Sequence, residues 1–257
     1  MLNINIKSTR IVTTLFLLFF AGLLSGCETE SSKTKFNPEN SDQKAIEIAD
    51  QVMDAMGGNE NWENTRHISW DFFDSRKHFW DKKTGDIRIE SLKDDFKILM
   101  NINTMEGKVY KYGALLENND SIEHYLEQGK NNWINDSYWL LMPFKLKDPG
   151  VTLKYKGEGN VKENKVDIIQ LTFEEVGTTP ENKYLVYVDQ EKKLVTQWEF
   201  FRKADQATPD FVLPWEDYQQ YGNILISGSR GESSLTNISV HNSLPKEVYN
   251  SFDPVAL

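Results

Sequence analysis

Trp133-Ile134-Asn135-Asp136-Ser137-Tyr138-Trp139-Leu140-Leu141-Met142-Pro143-Phe144 is the densest apolar and aromatic run outside the N-terminus. Tyr138 to Met142 sets large apolar side chains in unbroken succession. Each is worth roughly 1.5–3 kcal/mol when taken out of water. Pro143 has no N–H for a helix or a strand ladder. The run therefore reads as a helix end that enters the core and stops. Upstream, Ser121 to Glu127 reads as a helix of its own, and downstream Lys147-Asp148-Pro149-Gly150 is a turn. The surrounding sequence alternates with period two. The pair of helices is thus expected inside or against a curved sheet, with an ordinary core helix as the equal alternative.

Working outward, a first helix is expected over residues 42–57. Ser41 or Asp42 can cap it, and Ala45, Ile46, Ala49, Val52, Met53 and Met56 form one apolar face. Gly57-Gly58 ends it, and a short turn follows through Asn61-Trp62-Glu63. Alternation then takes over: Ile68, Trp70 and Phe72 against Ser69 and Asp71, and later Val151, Leu153 and Tyr155 against Thr152 and Lys154. Asp81-Lys-Lys-Thr-Gly85 is a hairpin turn. Further strands are expected near residues 96–102, 109–112, 166–173, 184–188, 194–201, 218–227 and 235–240, and a short helix near Pro245. About eleven closely spaced strands favour an antiparallel barrel or sandwich.

The N-terminus has a different logic. Lys7 and Arg10 precede an apolar run from Ile11 to Leu24. That run is shorter than the ~20 residues needed to span a bilayer and has the layout of a secretory signal. It ends Leu24-Ser25-Gly26-Cys27, with the only cysteine in the chain. This resembles a bacterial lipobox. The resemblance implies removal of residues 1–26, lipid attachment at Cys27 and a membrane anchor. Glu28 after the cysteine, in place of aspartate, points to the outer membrane. Residues 27–40 read as a polar tether, and residues 41–257 as one domain. Without Lys7 and Arg10 the net charge of −10 becomes −12, which argues against nucleic acid and against flat docking on anionic lipid. One cysteine allows no intramolecular disulfide, so the core must hold the fold.

Three local phrases carry a further resemblance. They are Met56-Gly57-Gly58 before Trp62, the run Asn135 to Phe144, and Thr179-Pro180-Glu181-Asn182-Lys183-Tyr184 leading into a strand. Together with the order helix, strands, central helices, strands, they are similar to the LolA/LolB superfamily of lipoprotein carriers, over residues 41 to 250. The resemblance implies a mainly β (α+β) fold: an incomplete antiparallel barrel wrapped around helices, with a cavity that takes acyl chains. A soluble shuttle must leave the membrane. A lipid-anchored chain of this type is left with a receptor-like or other binding role in the cell envelope.

Catalytic chemistry is thin. His67, His78, His124 and His241 have no metal-ligand spacing, and no cofactor fingerprint is present. Ser227-Gly228-Ser229-Arg230-Gly231 lacks the spacing of a nucleophile elbow and reads as a hairpin turn. Asp94-Asp95 and Glu174-Glu175 would point to opposite faces of a strand. The aromatic load is more informative: seven tryptophans, ten tyrosines and fourteen phenylalanines. Trp133, Trp139 and Phe144 are the candidates for a cavity wall, and Trp70 and Trp198 are expected in the core. Three readings remain open: a binding protein for a lipid, acyl chain or other hydrophobic ligand, an envelope protein acting by contact with a protein partner, and a hydrolase whose site has no motif.

Overall fold

The computed structural model describes residues 36–174 and 179–255. Cys27, the leader 1–26 and most of the tether 27–40 lie outside the described residues.

Two helices, α1 (Gln43–Ala55) and α2 (Gly58–Asn64), open the domain. Six strands follow: β1 (His67–Phe72), β2 (Arg76–Asp81), β3 (Asp86–Ser91), β4 (Phe96–Asn101), β5 (Gly107–Lys111) and the short β6 (Ala114–Leu115). The long helix α3 (Asn119–Leu141) then runs into a 3-10 turn at Met142–Lys145. The second half contains β7 (Val151–Val161), β8 (Asn164–Phe173), β9 (Lys183–Asp189), β10 (Val195–Phe201), β11 (Phe211–Pro214), β12 (Glu216–Tyr221), β13 (Ile224–Arg230) and β14 (Ser233–His241), before a last turn of helix, α4 (Glu247–Asn250).

The strands form two antiparallel sheets. One has nine strands in the order β12-β13-β14-β1-β2-β3-β4-β5-β6, and the other five in the order β11-β10-β9-β8-β7. The corner Pro214-Trp215-Glu216 carries the chain from an edge of the small sheet to an edge of the large one. The far edges, β6 and β7, are not paired with each other. Among the described residues neither sheet closes on itself, so the fold is mainly β and an incomplete barrel. The helix α3 runs inside the curve, with contacts to β4, β5 and β13. Gly129 marks its closest approach: a Cβ there would meet Ile98 Cδ1 at 3.0 Å and Met100 Sδ at 3.2 Å. A methyl there would require the Ile98 and Met100 side chains to yield by a few tenths of an ångström.

The expected pair of central helices is one continuous helix. Asn118 caps it, its Oδ1 accepting from the Ser121 N–H at 2.9 Å. The strand count exceeds eleven for three reasons. Residues 218–227 are two strands folded about a turn at Gly222, whose φ of +58° suits glycine. β6 and β11 are four residues or fewer, too short to show a period.

Asp42 precedes α1, yet its carboxylate makes no cap bond within the helix. Its Oδ2 accepts from the Tyr155 N–H at 3.0 Å and its Oδ1 from Lys154 Nζ at 3.1 Å. Ser41 Oγ accepts from the Leu153 N–H at 2.9 Å. These two residues thus satisfy the outer edge of β7 where it begins, which protects an otherwise open strand. The outer face of the large sheet is covered too. Every residue of β1 is buried, between β14 and β2, and the C-terminal segment packs over β3 and β4. Arg88, fully buried, donates to the carbonyls of Val248, Ser251 and Asp253. Tyr249 reaches His67 at 3.0 Å.

Candidate functional site

The second half of α3 faces the inner surface of the small sheet across a gap. Four aromatic residues project from that sheet: Phe173 of β8, Tyr184 of β9, Phe200 of β10 and Phe211 of β11. Tyr184 is the cross-strand partner of Phe200, and Phe200 of Phe211, so their rings share one face. Phe200 and Phe211 stack with centroids 4.9 Å apart. Opposite them stand Trp133, Ile134, Tyr138 and Trp139 of α3. Between the two walls is a cavity of about 530 Å³, within the range of small-ligand sites. Its rim includes Asn135, Lys145, Asp148, Pro149, Val151, Thr179 and Asn182. Lys145 Nζ is paired with Asp148 Oδ2 at 2.7 Å, so the rim cation already has its counter-charge. Burial pushes the Tyr138 and Tyr184 hydroxyls up, and both stay neutral near pH 7.

The three sequence candidates are placed as follows. Trp133 lies on the cavity wall with its ring edge-on to Trp80, at 5.1 Å. Trp139 lies on the wall and packs edge-on against Trp198, at 5.0 Å. Phe144 lines a second hollow, between α1, α2 and the 3-10 turn, and stacks on Trp62 at 4.3 Å. The other face of Trp62 is taken by Lys82 Nζ, 3.5 Å from the ring centroid, so neither face of the indole is open to a ligand. Burial pulls the Lys82 amine down to about 8. The small-sheet wall was not anticipated. Phe173, Tyr184, Phe200 and Phe211 are ordinary strand residues in sequence, and only the register makes them neighbours. The phase of Trp198 and Phe200, two apart, is the one local signal that both face inward.

The positions of α3 and β13 are fixed by buried charges. Asp136 of α3, with no exposed side-chain surface, accepts from Arg76 Nε at 2.7 Å, Arg76 Nη2 at 2.9 Å, His78 Nε2 at 2.7 Å and Asn135 Nδ2 at 2.9 Å. Burial pushes this carboxyl up, but the hydrogen bonds from His78 and Arg76 outweigh it and hold it below the usual carboxylate range. Burial likewise keeps His78 below its ordinary value and neutral, with its ring stacked on Trp70 at 4.6 Å. Arg230 of β13 is buried with its guanidinium 3.3 Å from the Trp215 ring centroid. Its Nη2 donates to the Trp139 carbonyl at 2.6 Å, a helix-end carbonyl that favours a cation. Burial pulls Arg230 down to about 9, so it remains charged at neutral pH.

The other histidines sit away from both hollows. Ser69 Oγ lies 3.1 Å from His241 Nε2 on the outer face of the large sheet, where His67 meets Tyr249. Among the described residues no carboxylate hydrogen-bonds His241, and none of these groups lines either hollow. No group of three or more metal-ligating side chains is assembled among the described residues.

No family model matches this chain, and no curated protein matches it. Solved structures similar to it include a DUF1329 family protein from Desulfovibrio piger, 11% identical, covering 80% of this chain and 96% of that one with a TM-score of 0.41. A domain assigned to outer membrane lipoprotein sorting from Vibrio parahaemolyticus is 9% identical, with 81% and 97% covered and a TM-score of 0.39. A LolA superfamily protein from Nitrosomonas europaea is 10% identical, with 80% and 96% covered and a TM-score of 0.35.

Proposed function

We propose that the chain is a lipid-anchored protein of the cell envelope that binds an acyl chain, or a ligand of similar apolar shape, between α3 and the small sheet. The observation that carries this reading is the cavity itself: about 530 Å³, walled by aromatic rings on two facing elements, with its one rim cation already paired. Such a wall offers mainly apolar area, with the Tyr138 hydroxyl, Trp133 Nε1 and Asn182 Oδ1 as its unpartnered polar atoms among the described residues, which suits a ligand recognised chiefly by its hydrocarbon. Cys27 as the lipid-bearing residue rests on Leu24-Ser25-Gly26-Cys27, and Trp133 and Trp139 are the proposed ligand contacts on the helix side. Phe144 belongs to this proposal only as a support, because its ring is spent on Trp62.

Burying about ten methylenes offers roughly 8 kcal/mol at ~0.8 each, before association costs. A surplus of half that gives a Kd near ~1 mM, and a smaller loss gives micromolar affinity. The lipid-free domain from Ser41 onward should therefore bind an environment-sensitive fatty-acid probe saturably, and unlabelled fatty acid should displace it. Ile134→Trp places a larger side chain on the half-exposed part of the wall. It should weaken the probe about tenfold, or ~1.4 kcal/mol, with little change in melting temperature. Absence of saturable binding by the unaltered domain would refute the proposal and favour a role through protein contact. The exposed Leu92, Tyr112 and Leu115, from the loop after β3 to β6, are then the surface to test.

The anchor has its own test. Cys27→Ala should abolish incorporation of an alkyne fatty acid, since no other thiol exists. A labelled Cys27→Ala protein would end the lipoprotein reading.

A further inference from the structure

The cavity runs across the small sheet, from Phe211 of β11 past Phe200 and Tyr184 to Phe173 of β8 and Val151 of β7. Its two ends differ. The β11 end is aromatic, with Phe211 stacked on Phe200 and 5.5 Å from the Trp139 ring. The β7 end is polar. There the Val151 N–H donates to the Asp148 carbonyl. Asn182, only 6% exposed, gives its Nδ2 to Thr179 Oγ1 at 2.6 Å, and its Oδ1 has no partner among the described residues. The buried Tyr138 hydroxyl has none either. Burial pushes that hydroxyl up, and the nearness of Tyr184 and Asp148 adds to the shift. Asp148 also lines the second hollow, of about 560 Å³, together with Asp50, Asp54 and Glu63. Lys147, the one cation lining that hollow, is paired with Asp50 at 2.6 Å. Among the described residues Asp54 and Glu63 have no ion-pair partner. We propose that the ligand is a long-chain amphiphile with a protonated amine in its head, lying with its tail toward Phe211 and its head at Asp148. The inference rests on the proposed function for the cavity and names the ligand class and its orientation.

An ammonium has three donors and no acceptor. The β7 end offers it three acceptors: Asn182 Oδ1, the Tyr138 hydroxyl oxygen and the Asp148 carboxylate. An anionic head would leave the Asn182 oxygen without a donor, which is costly for a buried group, and would meet the repulsion of Asp54 and Glu63. Both nearby lysines are already neutralised, Lys145 by Asp148 at 2.7 Å and Lys147 by Asp50. The Lys82 amine lies near Glu63, but it is spent on the carbonyl and ring of Trp62. A hydroxyl head supplies a donor and no charge, so it gains less. The third unpartnered polar atom of the wall, Trp133 Nε1, is a donor more than a helical turn earlier, on a ring packed edge-on against Trp80.

The test uses the full chain in phosphatidylcholine nanodiscs. A long-chain alkylamine and the alkanol of equal length, each with a photoactivatable diazirine at the tail end, are irradiated with it at equal concentration and low ionic strength. Labelled peptides are quantified by mass spectrometry. Peptides containing Phe200 or Phe211 should carry the tail label, with the amine ahead of the alkanol by about tenfold, a preference that shrinks as salt screens the carboxylates. Asp54→Asn combined with Glu63→Gln changes two exposed side chains and should bring that ratio to within about twofold, with an unchanged melting temperature. Comparing ratios between the two proteins cancels any difference in how the probes enter the bilayer. Equal labelling by amine and alkanol, a ratio that survives the double substitution, or tail label confined to peptides near Asp148 would overturn the inference and leave the cavity reading standing. If neither probe labels the wall, the proposed function fails and this inference falls with it.

Discussion

Asp136→Ala should lower the free energy of unfolding by about 3–5 kcal/mol, the usual cost of breaking a buried ion pair from one side. Among the described residues the carboxylate is the only acceptor that holds Arg76 and His78 of β2 to α3. Its removal strands a guanidinium that is only 26% exposed and a histidine with no exposed surface. Asp136→Asn should cost less, because an amide oxygen can still accept from Arg76. Equilibrium urea unfolding reads both, and a loss of under 1 kcal/mol for the alanine variant would refute the account.

The same cluster sets an acid limit. Asp136 in the fold lies below the usual carboxylate value, so the unfolded chain binds its proton first. Its contribution is complete above about pH 4 and is lost as pH falls through the lower folded value. His78 is also held below its ordinary value, so its contribution begins to fade below about pH 6.5. Unfolding free energy should therefore decline from near pH 6.5 downward, and the decline should be shallower in His78→Phe, which keeps the stacking on Trp70 and removes one proton site. An unchanged slope in that variant would count against a role for His78.

Trp198→Ala should be of similar size, about 3–5 kcal/mol. The indole is fully buried on β10 and touches the rings of Tyr138, Trp139, Tyr184, Phe211 and Trp215. Four of these five belong to the cavity wall, so the void would open directly beneath the site. Affinity for a fatty-acid probe should fall along with stability. Trp198→Phe, which keeps an aromatic plug, should recover most of both. Thermal unfolding and probe titration on the same samples separate the effects. A Trp198→Ala domain that melts normally would mean the ring cluster is not what holds the wall in place.

The large elements were legible because their signals are local. The face of α1 and the alternation of β1 can be read from neighbours in sequence. The run Trp133 to Phe144 was rightly read as a helix entering the core, with the chain turning at Pro143. Its split from the upstream helix was an error, because nothing in sequence shows that Gly129 is held in place by Ile98 and Met100. The helix side of the cavity was visible, as Trp133 and Trp139 stand in an aromatic cluster. The sheet side was not. Tyr184, Phe200 and Phe211 become one surface only through pairings between separate strands. The Arg76–Asp136–His78 cluster escaped for the same reason, since Asp136 lies 60 and 58 residues from Arg76 and His78 and no spacing rule links them.

The packing of α4 and the residues after it over β3 and β4 bears on how the molecule is made. Ser69 meets His241 across 172 residues, and Arg88 reaches the carbonyl of Asp253 across 165. The first strands synthesised thus wait for β14 and the segment after it before the outer face of the large sheet can close. Pairings this distant in sequence are slow to form, because the loop must be closed before any contact rewards it. Until residues 248–253 are available, the Arg88 guanidinium on that outer face lacks the three carbonyls that accept from it. A C-terminal truncation or a bulky fusion at Leu257 should therefore appear first as poor yield and aggregation during synthesis, before any defect can be measured in protein that has already folded.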